Sequence, residues 1–147
     1  MSWGRSGRLA IAPAAIALVV CVTACGSTAG ASGSVSSTVK RYFAALAAGD
    51  GHVACAQLTS EAGAEIVRLA HQAAPQLGVS SCAEAIAKVS KLLNPAQRRE
   101  LRSVRVVDVH IHGATANAAA KAGGKTSRTY ELSKRGQRWL LSGGFIP

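Results

Sequence analysis

The apolar periodicity of this chain changes once, near Arg102, and that change constrains its fold more than any other feature. Upstream, apolar residues recur every three or four positions, as they do on one face of a helix; downstream they alternate, as in a strand with one wet and one dry face. Val39, Phe43 and Leu46 mark a first helix, capped by Ser36 or Ser37 and stopped at Gly49. Asp50 caps a second, short one carrying Val53, Cys55 and Leu58, and Thr59 or Ser60 opens a third with Ala62, Ile66, Leu69 and Ala73 on one side. Pro75 and Gly78 end it. Ser81-Cys82-Ala83-Glu84 has the form of a capping box and begins a fourth, with the stripe Ile86, Val89 and Leu93. Asn94-Pro95 terminates that helix and starts one further turn through Leu101.

Four strands are expected after it: Val104–His112, Thr115–Lys121, Thr126–Ser133 and Arg138–Ser142, separated by Gly113, Gly123-Gly124 and Gly136. The alternation puts Val107, Val109 and Ile111 on one face of the first strand and Asp108, His110 and His112 on the other. Ala116, Ala118, Ala120, Tyr130, Leu132, Trp139 and Leu141 continue the dry face. Helices first and hairpin-linked strands afterwards imply an α+β fold, with N-terminal helices packed on a curved four-stranded antiparallel sheet. Trp139 is expected to be largely buried, with Tyr130 and Val109 close to it across the sheet.

The N-terminus carries an address. Arg5 and Arg8 precede an uncharged run from Leu9 to Val22, which is short of the roughly 20 apolar residues a membrane span needs and has the layout of a secretory signal. Val22-Thr23-Ala24-Cys25 resembles the lipobox of bacterial lipoproteins. The resemblance implies cleavage after Ala24, diacylation of Cys25, and a lipid anchor on the outer face of the cell membrane. The chain then divides into a signal peptide (1–24), a lipidated cysteine with a Gly/Ser-rich flexible tether (25–34) and one domain (35–147).

Removing 24 of 147 residues leaves 123, with 15 of the 17 basic residues against 7 acidic ones, a net +8. The excess lies in the C-terminal half: twelve basic residues from Lys88 onward face only Glu100, Asp108 and Glu131. On an exported protein this favours an anionic lipid or wall polymer as partner, or a solvated surface. Export and the lack of interleaved aromatics argue against nucleic acid. Of the four cysteines, Cys21 leaves with the signal and Cys25 is acylated. Cys55 and Cys82 then meet no reducing thiol pool and are expected to pair.

Two stretches carry a family resemblance. Val39, Tyr42-Phe43, Leu46, Gly49-Asp50-Gly51, Ala54-Cys55, Leu58-Thr59 and Ser81-Cys82-Ala83-Glu84-Ala85 resemble small exported lipoproteins with a nuclear-transport-factor-2-like (cystatin-like) cone domain. Tyr130-Glu131-Leu132 and Gly136-Gln137-Arg138-Trp139-Leu140-Leu141 are similar to that family's last two strands. The resemblance implies helices closing the wide end of a curved sheet and a pocket there, but not an activity. Val107, Val109, Ile111, Tyr130, Leu132, Trp139 and Leu141 are the pocket candidates. None is an acid or base, so no catalytic residue and no cofactor is assigned, and the leading expectation is a non-enzymatic binding or interaction module. The alternative is a small isomerase or hydrolase using Asp108 and His110, which needs a register slip to bring them inside. Asp108, His110 and His112 share a face and are also weak metal candidates. Oligomeric state does not follow from the chain.

Overall fold

A computed structural model describes residues 28–124 and 127–145; the signal segment and Cys25 lie outside the described residues. The elements run α1 (Thr28–Ala48), α2 (Gly51–Cys55), α3 (Ser60–Ala73), a 3-10 turn (Pro75–Leu77), α4 (Cys82–Leu92) and α5 (Pro95–Arg102), then β1 (Arg105–His112), β2 (Thr115–Lys121), β3 (Arg128–Arg135) and β4 (Arg138–Gly143). The strands form one open antiparallel sheet in the order β1-β2-β3-β4. The fold is therefore α+β, five helices on a four-stranded sheet, as the change of period requires.

α1 lies on the dry face and touches β1, β2 and β4. Central β2 presents only Ala116, Ala118 and Ala120 there, all buried, while bulky Ile111, Leu132, Leu141 and Trp139 sit on the other strands. Small side chains at the sheet centre let a helix approach closely, and Val35 and Val39 of α1 are fully buried. Thr38 donates its hydroxyl to the Trp139 carbonyl at 3.1 Å, tying α1 to β4. The outer edge of β4 is covered by the link before α3: Leu141 N donates to Gln57 O at 2.8 Å, and Thr59 N to Leu141 O at 2.9 Å. That pairing occupies an edge that would otherwise offer unpaired donors and acceptors.

Several local expectations are corrected. α1 begins at Thr28, so residues 28–34 are helical and not a flexible tether. No proline interrupts them, and once Val35 and Val39 anchor the helix, extending it by further turns costs little. Ser81 does cap α4, accepting from Glu84 N at 3.2 Å, but the Glu84 carboxylate accepts from Ser80 N and not from Ser81 N. The same carboxylate meets Lys88 Nζ at 2.7 Å; those Lys88 and Ser80 contacts hold its pKa down at about 2. A reciprocal capping box is made instead at α5, by Asn94 and Gln97. The buried face of α3 is Ala62, Gly63 and Ala70, with Ala73 exposed. Val89 of the α4 stripe is also exposed, and Ala85 and Ser90 are buried beside Ile86.

Cys55 and Cys82 form the disulfide, joining the last residue of α2 to the first of α4. The helices touch at their backbones, since a Cβ on Gly51 would overlap the Ala83 carbonyl oxygen. A glycine at 51 is thus required by close approach.

Candidate functional site

The sheet register separates residues that periodicity alone had grouped. Tyr130 pairs with Ala118, which pairs with Val109, so these three share one row. Leu132, Leu141, Ala116 and Ile111 form the next. Trp139 pairs with Lys134, beyond that row and away from Tyr130. Trp139 is buried, at 4% exposure, but it is not a neighbour of Tyr130 or Val109 as expected. A bulge between Val106 and Asp108 leaves Val107 at 53% exposure. Val107 is therefore neither core nor pocket.

At the Tyr130 end of the sheet, α1, α5 and the β2–β3 hairpin diverge and leave a cleft of about 350 Å³. α1 contributes Tyr42, Phe43 and Leu46, while Leu93, Gln97, Glu100, Leu101 and Val104 come from the α4–α5–β1 segment. Ala120, Lys121 and Ala122 close it from β2, Arg128 and Tyr130 from β3, and Phe145 follows β4. Of the seven pocket candidates only Tyr130 lines this cleft. Leu132, Trp139 and Leu141 are packed into the core, and Val109 and Ile111 lie half-buried against it.

Aromatic rings form the floor. Phe145, Tyr42, Phe43 and Tyr130 follow one another with centroid separations of 6.3, 5.1 and 5.2 Å. The two tyrosines differ in their electrostatics. Burial, and next the neighbouring Tyr130, push the Tyr42 hydroxyl up to about 12. Burial also raises Tyr130, with the Arg128 charge acting against it. Each hydroxyl therefore stays protonated and can donate at any ordinary pH. Tyr42 is only 5% exposed and lines the cleft, and among the described residues the one buried side-chain polar atom without a hydrogen-bond partner is Ser127 Oγ. On the far side of Tyr42, Leu46 and Phe145 lies a second, apolar cavity of about 240 Å³, bounded by Ile66 and Leu69 of α3 and Ile86 and Val89 of α4.

Comparison with known proteins finds no match to this chain, whether among family models, curated proteins or solved structures. The site must be read from its own chemistry.

Asp108 and His110 lie on the exposed outer face of the sheet, where His110 Nε2 meets Asp108 Oδ2 at 2.8 Å. Neither lines the cleft, so the register slip that an enzyme using them would need is not made. Among the described residues no group of three or more His, Cys, Asp or Glu is placed to hold a metal ion, and His112 stays apart from the Asp108–His110 pair.

Tyr42, Phe43 and Phe145 were missed as site residues. A signal for the first two existed: Tyr42 is three after Val39 and four before Leu46, hence on the packed face of the same helix. A second aromatic directly beside Phe43 exceeds what a simple apolar stripe needs.

Proposed function

We propose that this chain is an extracytoplasmic lipoprotein, anchored through acylated Cys25, whose domain binds a small, largely apolar molecule in the Tyr42–Tyr130 cleft without transforming it. The aromatic-floored cleft carries the reading: a concave, largely apolar wall with a few polar groups converging on it is the common form of a small-molecule site. Helices followed by an open antiparallel sheet, with a cleft where sheet and helices part, agree with the cone domain of the nuclear-transport-factor-2-like superfamily. We take that as the fold family. Asp108 and His110, the acid and base an enzyme reading would use, do not line the cleft.

The anchor reading has a geometric consequence. Thr28, the first residue of α1, is three positions after Cys25. Tyr42 and Leu46 lie about 20–27 Å further along the helix axis, at 1.5 Å per residue. The cleft would then stand off the bilayer on a stiff helix, turned toward the envelope space. Among the described residues no helix is long and apolar enough to cross a membrane, so in this reading the acyl chains supply the attachment.

Two measurements test the proposal. Native mass spectrometry of the full chain, extracted in a neutral maltoside detergent, should show one bound octanol per chain, and Ala122→Phe, which fills the cleft, should abolish it. Equal octanol uptake by parent and variant would remove the cleft from consideration. Cys25→Ala should release the protein from membranes or leave the precursor uncut, and unchanged membrane partition would refute the anchor.

A further inference from the structure

The rim of the cleft is more selective than its floor. Lys121 ends β2 and Arg128 opens β3, and both line the cleft. Arg105, the first residue of β1, pairs directly with Lys121 across the sheet. Like charges directly opposite on neighbouring strands destabilise a sheet. Among the described residues the ion pairs are Glu65–Arg68, Glu84–Lys88 and Asp108–His110, and none involves Arg105, Lys121 or Arg128. Glu100 is the carboxylate on the lining; its side chain reaches Gly123, next to the end of β2, and it takes part in an interaction of its own. The cleft mouth thus carries the cations Lys121 and Arg128, with Arg105 beside them, against the single carboxylate of Glu100.

The hydroxyls extend this positive rim inward. Arg128 is near enough to Tyr130 to act on its ionisation, and Tyr130 near enough to Tyr42 to do the same. Tyr42, whose hydroxyl stays protonated, stands at the inner end of that line and lines the cleft. Leu46, Leu93, Leu101 and Phe145 surround it with apolar surface. A volume of about 350 Å³ lies at the small end of the ~300–1,000 Å³ typical of ligand pockets, room for one short chain and not two.

Resting on the binding reading above, we propose that the ligand of this cleft is a single-chain anionic amphiphile. Its carboxylate or phosphate sits against Lys121 and Arg128, within reach of the tyrosine hydroxyls, and its alkyl body lies among Leu46, Leu101 and Phe145. A neutral alkyl compound fills the floor and leaves the rim cations unanswered; a cationic one meets repulsion at the mouth.

The test uses the full chain in a neutral maltoside detergent and equilibrium dialysis against labelled octanoate, octyl phosphate, octanol and octyltrimethylammonium. The cleft-filled Ala122→Phe variant measures micelle uptake for subtraction. Octanoate or octyl phosphate should bind at least about tenfold more tightly than octanol, octyltrimethylammonium should bind most weakly, and comparison of the two anions identifies the head group. Lys121→Gln with Arg128→Gln should bring the anions to the level at which the same variant binds octanol, and a far-UV dichroism spectrum matching the parent shows that the variant is folded. Each added methylene should tighten binding about fourfold until the cleft is full. Octanol bound as tightly as the anions, or an anion preference that survives the double variant, overturns this inference and leaves the cleft as a binding site. Failure of all four probes to bind above the Ala122→Phe background overturns the binding reading and this inference with it.

Discussion

Trp139→Ala should lower the stability of the domain by roughly 3–5 kcal/mol, the usual cost of truncating a buried tryptophan. Trp139 is 4% exposed and occupies the end of the dry face where α1 meets β4. Its carbonyl accepts from Thr38, and the Lys134 ammonium lies 6.0 Å from its ring centroid, within cation–π range. Truncation removes the ring contacts and leaves a void under the first half of α1, near Val35 and Val39. A loss of that size is a large share of the ~5–15 kcal/mol available to a domain. Equilibrium urea unfolding followed by far-UV circular dichroism measures it, because the variant lacks the reporter indole. A loss under about 1 kcal/mol would mean the indole is not core. Trp139→Phe, which keeps a ring, should fall between the two proteins. Because Trp139 lies away from Tyr130 in the register, Trp139→Ala should leave octanol binding in the cleft unchanged while the protein is folded.

The second large effect belongs to the disulfide. Replacing both Cys55 and Cys82 by alanine should cost roughly 3–4 kcal/mol, the loop-closure value for a cross-link between residues 27 apart. The bond joins α2 to α4 at the point where Gly51 lies against the Ala83 backbone, and Gly63 of α3 packs on Cys82. The cysteines therefore hold three helices together, yet the bond acts mainly by restricting the unfolded chain. Native far-UV dichroism of the double variant should match the parent while its urea midpoint falls. Hydrogen exchange should quicken first in α2 and α4, the elements the bond joins. A midpoint shift corresponding to less than about 1 kcal/mol would show that packing of Gly51 and Gly63 alone supports this corner.

Features set by a few neighbouring residues were legible without coordinates. β2 runs from Thr115 to Lys121 as its alternation requires, because Gly113 and the Gly123-Gly124 pair bound it and each takes a positive φ. Asp50, Thr59, Ser81 and Asn94 cap the helices they were expected to open, since a cap needs only a side-chain oxygen and a backbone N–H three residues on. The pairing of Cys55 with Cys82 followed from the reading of export and from elimination. All of these rest on interactions between residues near in sequence, or on counting.

Tertiary structure alone decided the rest. The start of α1 at Thr28 depends on Val35 and Val39 finding the alanine-lined centre of the sheet, some 80 residues away. The exposure of Val107 comes from a bulge, which shifts pairing by one residue and leaves no mark in the alternation. Trp139 and Tyr130 share a face by period, but their distance along the sheet depends on where β3 and β4 pair, with a further irregularity between Glu131 and Leu132. The cleft is the extreme case. Tyr42, Leu101, Lys121, Arg128 and Phe145 come from five segments spread over a hundred residues. Periodicity reports which side of an element is dry; it carries no information about which dry sides part from one another, and a cleft forms only where they do.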